Sequence, residues 1–100
     1  MVYITQLIYL NPGEEAAFNE FEAHAIPIIA RYGGSFMLRV RPTSETVIEA
    51  GIEVPYEIHL VSFPSVGAFE DFKKDEERKA FLHLKEKSVR EMLLLEGRVL

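Results

Sequence analysis

One short segment, residues 27–41, sets the order of the secondary structure, and it reads PIIARYGGSFMLRVR. Gly33-Gly34 ends the preceding helix, because a left-handed C-terminal cap favours glycine. Ser35 to Arg41 predicts a strand, since side chains for two opposite faces alternate along it. The segment therefore predicts a helix that turns sharply into a strand.

Upstream of this turn, the sequence predicts a strand and a long helix. Val2 to Leu10 is rich in β-branched and aromatic residues, which favours a strand. Asn11-Pro12 suits a helix start with Asn11 as the cap, and an apolar stripe at helical spacing continues to about Tyr32. Pro27 removes one backbone donor, so we expect a kink there and not the end of the helix. Three polar residues of this helix are expected to face water: Glu15, Asn19 and Glu22.

Downstream of the turn, two more strands and a divided helical region are predicted. Tyr56 to Phe63 is the third strand, and Arg90 to Leu95 is the fourth. Between them, Ser65 caps one helix and Asp75 caps the next. The order β-α-β-β-α-β is that of an α+β, ferredoxin-like fold, a four-stranded antiparallel sheet with helices on one face. Residues 1–100 are expected to form one such domain.

Composition narrows the classes of function. The chain has 100 residues, of which 48% are hydrophobic, and 11 Lys and Arg stand against 16 Asp and Glu for a formal net charge of −5. This balance provides no basic surface for nucleic acid or an anionic membrane. The absence of cysteine excludes disulfides, a thiolate nucleophile and a thiolate metal site. We find no secretory signal and no apolar run of about 20 residues, so a cytoplasmic protein is expected.

Strand alternation assigns side chains to the two faces of the sheet. The face toward the helices is expected to hold Val2, Ile4, Ile8, Leu10, Phe36, Leu38, Val40, Ile58 and Leu60, with Gln6 as its one polar exception. The open face is expected to hold Tyr3, Thr5, Leu7, Tyr9, Met37, Arg39, Arg41, Glu57, His59, Val61 and Phe63. This second face is too apolar to meet water alone, and such patches mark interfaces. We therefore predict a homodimer joined through the open sheet faces, which approximates a closed barrel.

Three short motifs make the chain resemble the dimeric α/β-barrel superfamily, in particular a short branch of unknown function. They are Tyr32-Gly33-Gly34, Phe63-Pro64-Ser65 and Leu95-Glu96-Gly97. The resemblance implies the fold and the dimer. Other members of the superfamily include cofactor-free monooxygenases, lactone isomerases, haem-degrading enzymes and stress-response proteins. The chain departs from the branch at Ser62, Phe72 and Arg78, where an acidic residue, Trp and Tyr are common.

Two residues are candidates for catalysis. His59 suits a general acid or base, since imidazole is the side chain used for proton transfer near neutral pH, or it is an interface histidine with satisfied hydrogen bonds. Arg39, on the neighbouring strand, suits a carboxylate or enolate oxygen, or it pairs with Glu57 or with the partner subunit. Three side chains expected on the same face as His59 are candidates for ligand binding: Tyr3, Thr5 and Tyr9. No histidine lies in a ligand motif, so neither a metal nor a cofactor is expected.

Two functions fit these candidates. The first is a dimeric module that binds a small apolar or aromatic metabolite. The alternative is a cofactor-independent enzyme, similar to the monooxygenases or isomerases, acting on a carbonyl- or phenol-bearing small molecule. The enzyme requires a cavity of at least about 300 Å³ beside His59 or between the sheet and the helices.

Overall fold

The strands and helices follow one another in the predicted order. A computed structural model describes residues 1–100. Its elements are β1 Val2–Leu10, α1 Glu15–Ile28, a 3-10 turn Ile29–Tyr32, β2 Ser35–Val40, β3 Glu57–Phe63, α2 Val66–Lys73, α3 Glu76–Ala80, α4 Leu82–Ser88 and β4 Val89–Gly97. The second helical region thus has three pieces, where the sequence predicted two.

The strands form one antiparallel sheet in the order β2-β3-β1-β4. The helices cover one face of it, and Ile4, Val61 and Phe63 pack there against Ile28 and Phe69 in the core. This arrangement confirms the ferredoxin-like α+β fold. None of the helices has both the length and the apolar character needed to cross a membrane.

The glycine pair ends the first helix as predicted. Gly33 has φ +73° and caps the 3-10 turn, with its amide donating to Ala30. Gly34 lies where a side chain would collide, because an added Cβ would be 2.6 Å from Ile29 Cγ2 and 2.9 Å from Phe63 Cε1. Both positions therefore require glycine, the first for its backbone angle and the second for space. The helix also continues through Pro27, and it tightens into the 3-10 turn only after that residue.

Two of the three predicted helix caps are confirmed. Ser65 Oγ accepts from the Ala68 amide at 3.1 Å, and Asp75 Oδ1 accepts from the Arg78 amide at 3.0 Å. The prediction for Asn11 was wrong, because α1 begins after Glu14 without a side-chain cap. The Asn11 side chain instead donates to the backbone of α4, at Lys87 O.

The register of the sheet corrects the predicted faces of β3. Opposite residues of an antiparallel pair share a face, and Ile8 lies opposite Glu57 while Gln6 lies opposite His59. Four residues of β3 are therefore buried under the helices, namely Glu57, His59, Val61 and Phe63. The predicted inward pair, Ile58 and Leu60, lies on the open face.

An irregularity in β2 corrects the faces of that strand as well. Phe36 pairs with Val61, but Leu38 then pairs with Leu60, so the register shifts at Met37. One extra residue in a strand moves every following side chain to the opposite face of the sheet. As a result, Leu38 and Val40 join the open face, and Arg39 comes under the helices opposite His59.

Candidate ligand site

A buried carboxylate organises a polar cluster on the helix-covered face. Glu57, 0% exposed, accepts from Arg39 Nε at 2.8 Å and from Arg41 Nε at 2.9 Å, and its Oε2 also contacts His59 Nε2. Arg39 and Arg41 are two residues apart, as are Glu57 and His59, so each pair lies on one face of its segment. The four side chains meet because β2 pairs with β3 and Arg39 lies opposite His59. The structure thus brings together the predicted catalytic residues His59 and Arg39, and it confirms the pairing of Arg39 with Glu57.

The charge state of the cluster follows from these hydrogen bonds. Burial by itself raises the pKa of Glu57, but the hydrogen bonds from His59, Arg39 and Arg41 outweigh it and lower the pKa to about 2. Glu57 is therefore ionised at neutral pH. His59 is itself buried, with its ring 5.0 Å from that of Phe36 in an edge-on contact.

A cleft lies beside this cluster, between the sheet and the helices. Most of its lining is apolar and aromatic, and five polar side chains reach it: Gln6, Glu22, His59, Arg78 and Lys85. The cleft holds about 480 Å³ when its open mouth is included, but the interior is only about 40 Å³. That interior has room for a few water molecules at most. A cavity of about 300 Å³, as a catalytic site needs, is therefore not present in this state.

Glu22 enters the cleft from α1, which corrects the expectation that it faces water. It is 8% exposed and forms no ion pair. Burial raises the pKa of Glu22, and the charges of His59 and Arg39 oppose this only in part. The sequence carried a signal, because Glu22 lies one turn after Phe18 on the apolar stripe.

Arg78 of α3 and Lys85 of α4 form the other charged wall of the cleft. The Arg78 guanidinium lies over the rings of Phe21, at 5.7 Å, and Phe72, at 5.1 Å. Its Nη1 donates to Lys73 O, but its buried Nε has no acceptor. No carboxylate lies within ion-pair distance of either cation, and burial lowers the pKa of both.

The three predicted ligand-binding residues lie away from this cleft. Tyr3 and Thr5 belong to the opposite face of the sheet, where they line a groove of about 330 Å³. The Tyr9 hydroxyl donates to Glu53 O at 2.8 Å. The expectation that these three residues share a face with His59 was wrong, because the register of β3 exchanges its faces. The structure places no group of three or more His, Asp or Glu side chains where it could hold a metal ion.

Residues 4–98 match the family described as a domain of unknown function, DUF1330. The chain belongs to this family. Among curated proteins, none matches it. The expectation of a family of unknown function is thereby confirmed.

Solved structures agree with the fold of this DUF1330 chain. A protein of unknown function from Rhodopseudomonas palustris superimposes with a TM-score of 0.81 at 18% identity, over 99% of this chain and 82% of that one. An uncharacterised NIPSNAP domain protein from Burkholderia xenovorans gives 0.73 at 9% identity, over 100% and 95%. A DABB family protein with a ferredoxin-like fold from Mesorhizobium loti gives 0.67 at 16% identity, over 99% and 96%.

Two of the three departures from the branch fall in the cleft of this DUF1330 protein. Phe72 and Arg78 both line it, whereas Ser62 lies opposite Tyr3, on the other side of the sheet.

Proposed function

We propose that this DUF1330 protein binds a small apolar or aromatic metabolite in the cleft between the sheet and the helices. The observation that carries the proposal is the lining, a mostly apolar wall with a few polar groups that converge on one space. Three of those groups, Glu22, Arg78 and Lys85, have no ion-pair partner in the protein. Burying such groups costs free energy, which a bound ligand would offset.

Binding requires the cleft to widen, since its interior is about 40 Å³ and metabolite sites measure about 300 Å³ or more. The wall formed by α3 and α4 is suited to such a movement. α3 has five residues, none of them buried, and the only buried residue of α4 is Ser88. Segments with few buried contacts open at the lowest free energy.

In this proposal, His59 faces the ligand, and Arg39 acts through Glu57 as a positioning residue. Arg39 donates to the carboxylate that holds the His59 ring. An imidazole fixed in this way presents one defined edge to the cleft.

The binding proposal is tested by titrating ¹⁵N-labelled protein with small aromatic ketones, phenols and acids. We expect backbone amide signals around Glu22, His59 and Phe72 to shift in a saturable manner. Glu22→Gln should alter affinity, whereas Glu20→Gln, an exposed carboxyl of the same helix, should leave it unchanged. Shifts confined to the open sheet face, or none with any compound, would contradict the proposal.

A second candidate function is cofactor-independent proton transfer on a carbonyl compound. It is favoured by one observation, namely that a buried carboxyl without a partner shares the cleft with His59. Burial raises the pKa of Glu22, which is the direction that makes a carboxylate a stronger general base. This candidate stands behind simple binding, because it requires the same widening of the cleft and, in addition, a base positioned against the reacting carbon.

The catalytic candidate is tested by deuterium exchange. Phenylacetone in D₂O loses its α-proton signals by NMR, and the protein should accelerate this loss over buffer. In that step the Glu22 carboxylate takes the carbon-bound proton and a deuteron returns to the same carbon. Glu22→Gln should abolish the acceleration and Glu20→Gln should retain it; an equal rate in both variants would exclude Glu22 as the base.

We also propose that the protein is a homodimer joined through its open sheet faces. The corrected faces make this side of the sheet more apolar than the sequence suggested, because it carries Leu7, Leu38, Leu60, Leu93 and Leu95. Leu38 is 49% exposed and Leu95 is 60% exposed. Tyr3 and Thr5 lie in the groove that the second copy would cover, so a ligand there would be bound at the dimer interface.

A further inference from the structure

We propose that Arg78 and Lys85 make the cleft selective for a ligand that carries a carboxylate. This inference rests on the binding site proposed above and specifies the chemistry of its ligand. The apolar part of the ligand would lie against the aromatic lining, and its carboxylate would face α3 and α4.

The first support is the local balance of charge. Two cationic side chains line the cleft, Arg78 and Lys85, against one carboxyl group, Glu22. Arg39 and Arg41 are both bound to Glu57 and are not free to meet a ligand. Arg78 and Lys85 have no carboxylate within ion-pair distance, and Glu22, Asp75 and Glu86 attract them only from farther away. A local excess of positive charge in a chain with a net charge of −5 attracts a monoanion to this position.

The second support is the geometry of Arg78. Its Nη1 is occupied by Lys73 O, and its Nε is buried without an acceptor. The Nε and Nη2 groups lie on one edge of the guanidinium plane, and a carboxylate matches that edge with two parallel hydrogen bonds. The rings of Phe21 and Phe72 lie beside the guanidinium, so the edge is held in a fixed direction before a ligand arrives.

The third support is the role left to Glu22. Its carboxyl shares the cleft with the two cations, and burial raises its pKa. When protonated, it donates a hydrogen bond to a carboxylate oxygen. When ionised, it repels a second negative charge. The ionised state favours a monoanion over a dianion such as a phosphate monoester, because its repulsion rises with the charge of the ligand.

The experiment compares benzoate with its neutral analogue benzamide by ¹⁵N NMR titration of the full chain. Charge-assisted hydrogen bonds contribute about 1.5–3 kcal/mol, so benzoate should bind about tenfold tighter or more. Arg78→Met should bring the two affinities together, because it removes the charge and the donors but keeps the apolar stem. Lys79→Met is the matched control, since it removes an exposed charge from the same helix and should keep the preference.

The outcomes separate this inference from the proposed function. If both compounds shift the cleft amides with equal affinity, or if Arg78→Met keeps the preference for benzoate, the carboxylate selectivity is wrong and the binding site stands. If neither compound shifts the cleft amides, both proposals fail. If Arg78→Met does not fold, Lys85→Met provides a second test, and it should also reduce the preference for benzoate.

Discussion

At the residue scale, two buried carboxyl groups show opposite behaviour in one layer of the protein. Glu57 has three hydrogen-bonding neighbours that lower its pKa to about 2, whereas burial raises the pKa of Glu22. The two pKa values differ because Glu57 accepts hydrogen bonds from cationic side chains and Glu22 accepts none, since both carboxyl groups are buried. Glu57 therefore stabilises the fold, and Glu22 is a residue that stability alone would not select.

Glu57→Gln should destabilise the protein by about 3 kcal/mol, because breaking a buried ion pair costs about 3–5 kcal/mol and Arg39 and Arg41 remain partly solvated. Urea unfolding at neutral pH measures the change. Glu70→Gln is the control, since its exposed pair with Lys73 contributes less than about 1 kcal/mol. An equal decrease in the free energy of unfolding in both variants would show that Glu57 does not organise the cluster.

The pH dependence of stability separates the two carboxyls. The folded pKa of Glu57 is lowered, so its contribution is present above its unfolded value of 4.5 and is lost as pH falls toward about 2. The pKa of Glu22 is raised in the folded state, so ionising this group lowers the free energy of unfolding above pH 4.5. This destabilisation is absent in acid, where the group is protonated in both states.

We therefore expect the free energy of unfolding of the wild type to fall on acidification, and that of Glu57→Gln to change less. Glu22→Gln should be at least as stable as the wild type at pH 7 and should lose stability more steeply toward pH 3. Urea unfolding at pH 3, 5 and 7 measures these slopes. A Glu22→Gln variant that is less stable at pH 7 would refute this assignment.

At the scale of secondary structure, the junction between the first helix and β2 depends on contact as well as on backbone angle. Gly34 lies against Ile29 of the 3-10 turn and Phe63 of β3. This close approach brings β2 next to the end of the third strand. The irregularity at Met37 then moves the side chains after it to the opposite face of the sheet, so that Arg39 lies beside His59 and Glu57.

Gly34→Ala should destabilise the protein by about 1–3 kcal/mol, the usual cost of overpacking a filled core. Gly51→Ala is the matched control, because an added Cβ there meets nothing within 4 Å. Thermal unfolding of the two variants gives the comparison. Identical midpoints would mean that the junction can relax around the added methyl group.

At the scale of the whole molecule, the sheet has one face covered by helices and one apolar face that the chain itself leaves open. Burying exposed apolar area contributes about 25 cal/mol per Å². A twofold partner is the simplest cover, because each copy offers the same surface to the other. The helix-side cleft and the proposed interface thus lie on opposite sides of one sheet.

Leu95→Lys should convert the proposed dimer to a monomer, since it puts a charge into the exposed apolar surface that the partner would cover. Sedimentation velocity at micromolar concentration measures the mass. Ile48→Lys is the control, because Ile48 is fully exposed in the connection between β2 and β3 and should leave the mass unchanged. A wild-type protein that sediments as a monomer would refute the interface.

The sequence alone is enough to predict the order of the strands and of the helical regions, together with three of the helix ends. Gly33, Ser65 and Asp75 act on backbone groups within a few residues, so local rules suffice to place them. The apolar excess follows from composition, and the three short motifs by which the chain resembles its family are read directly from the sequence. The faces of β2 and β3 depend instead on tertiary structure, because the register between β1 and β3 and the shift at Met37 are set by pairing between residues far apart in the chain. The sequence therefore groups His59, Arg39 and Glu57 correctly but predicts the wrong face of the sheet for them. It does not predict that Glu22, Arg78 and Lys85 line one cleft, because they belong to three separate helices that meet only by packing on the sheet.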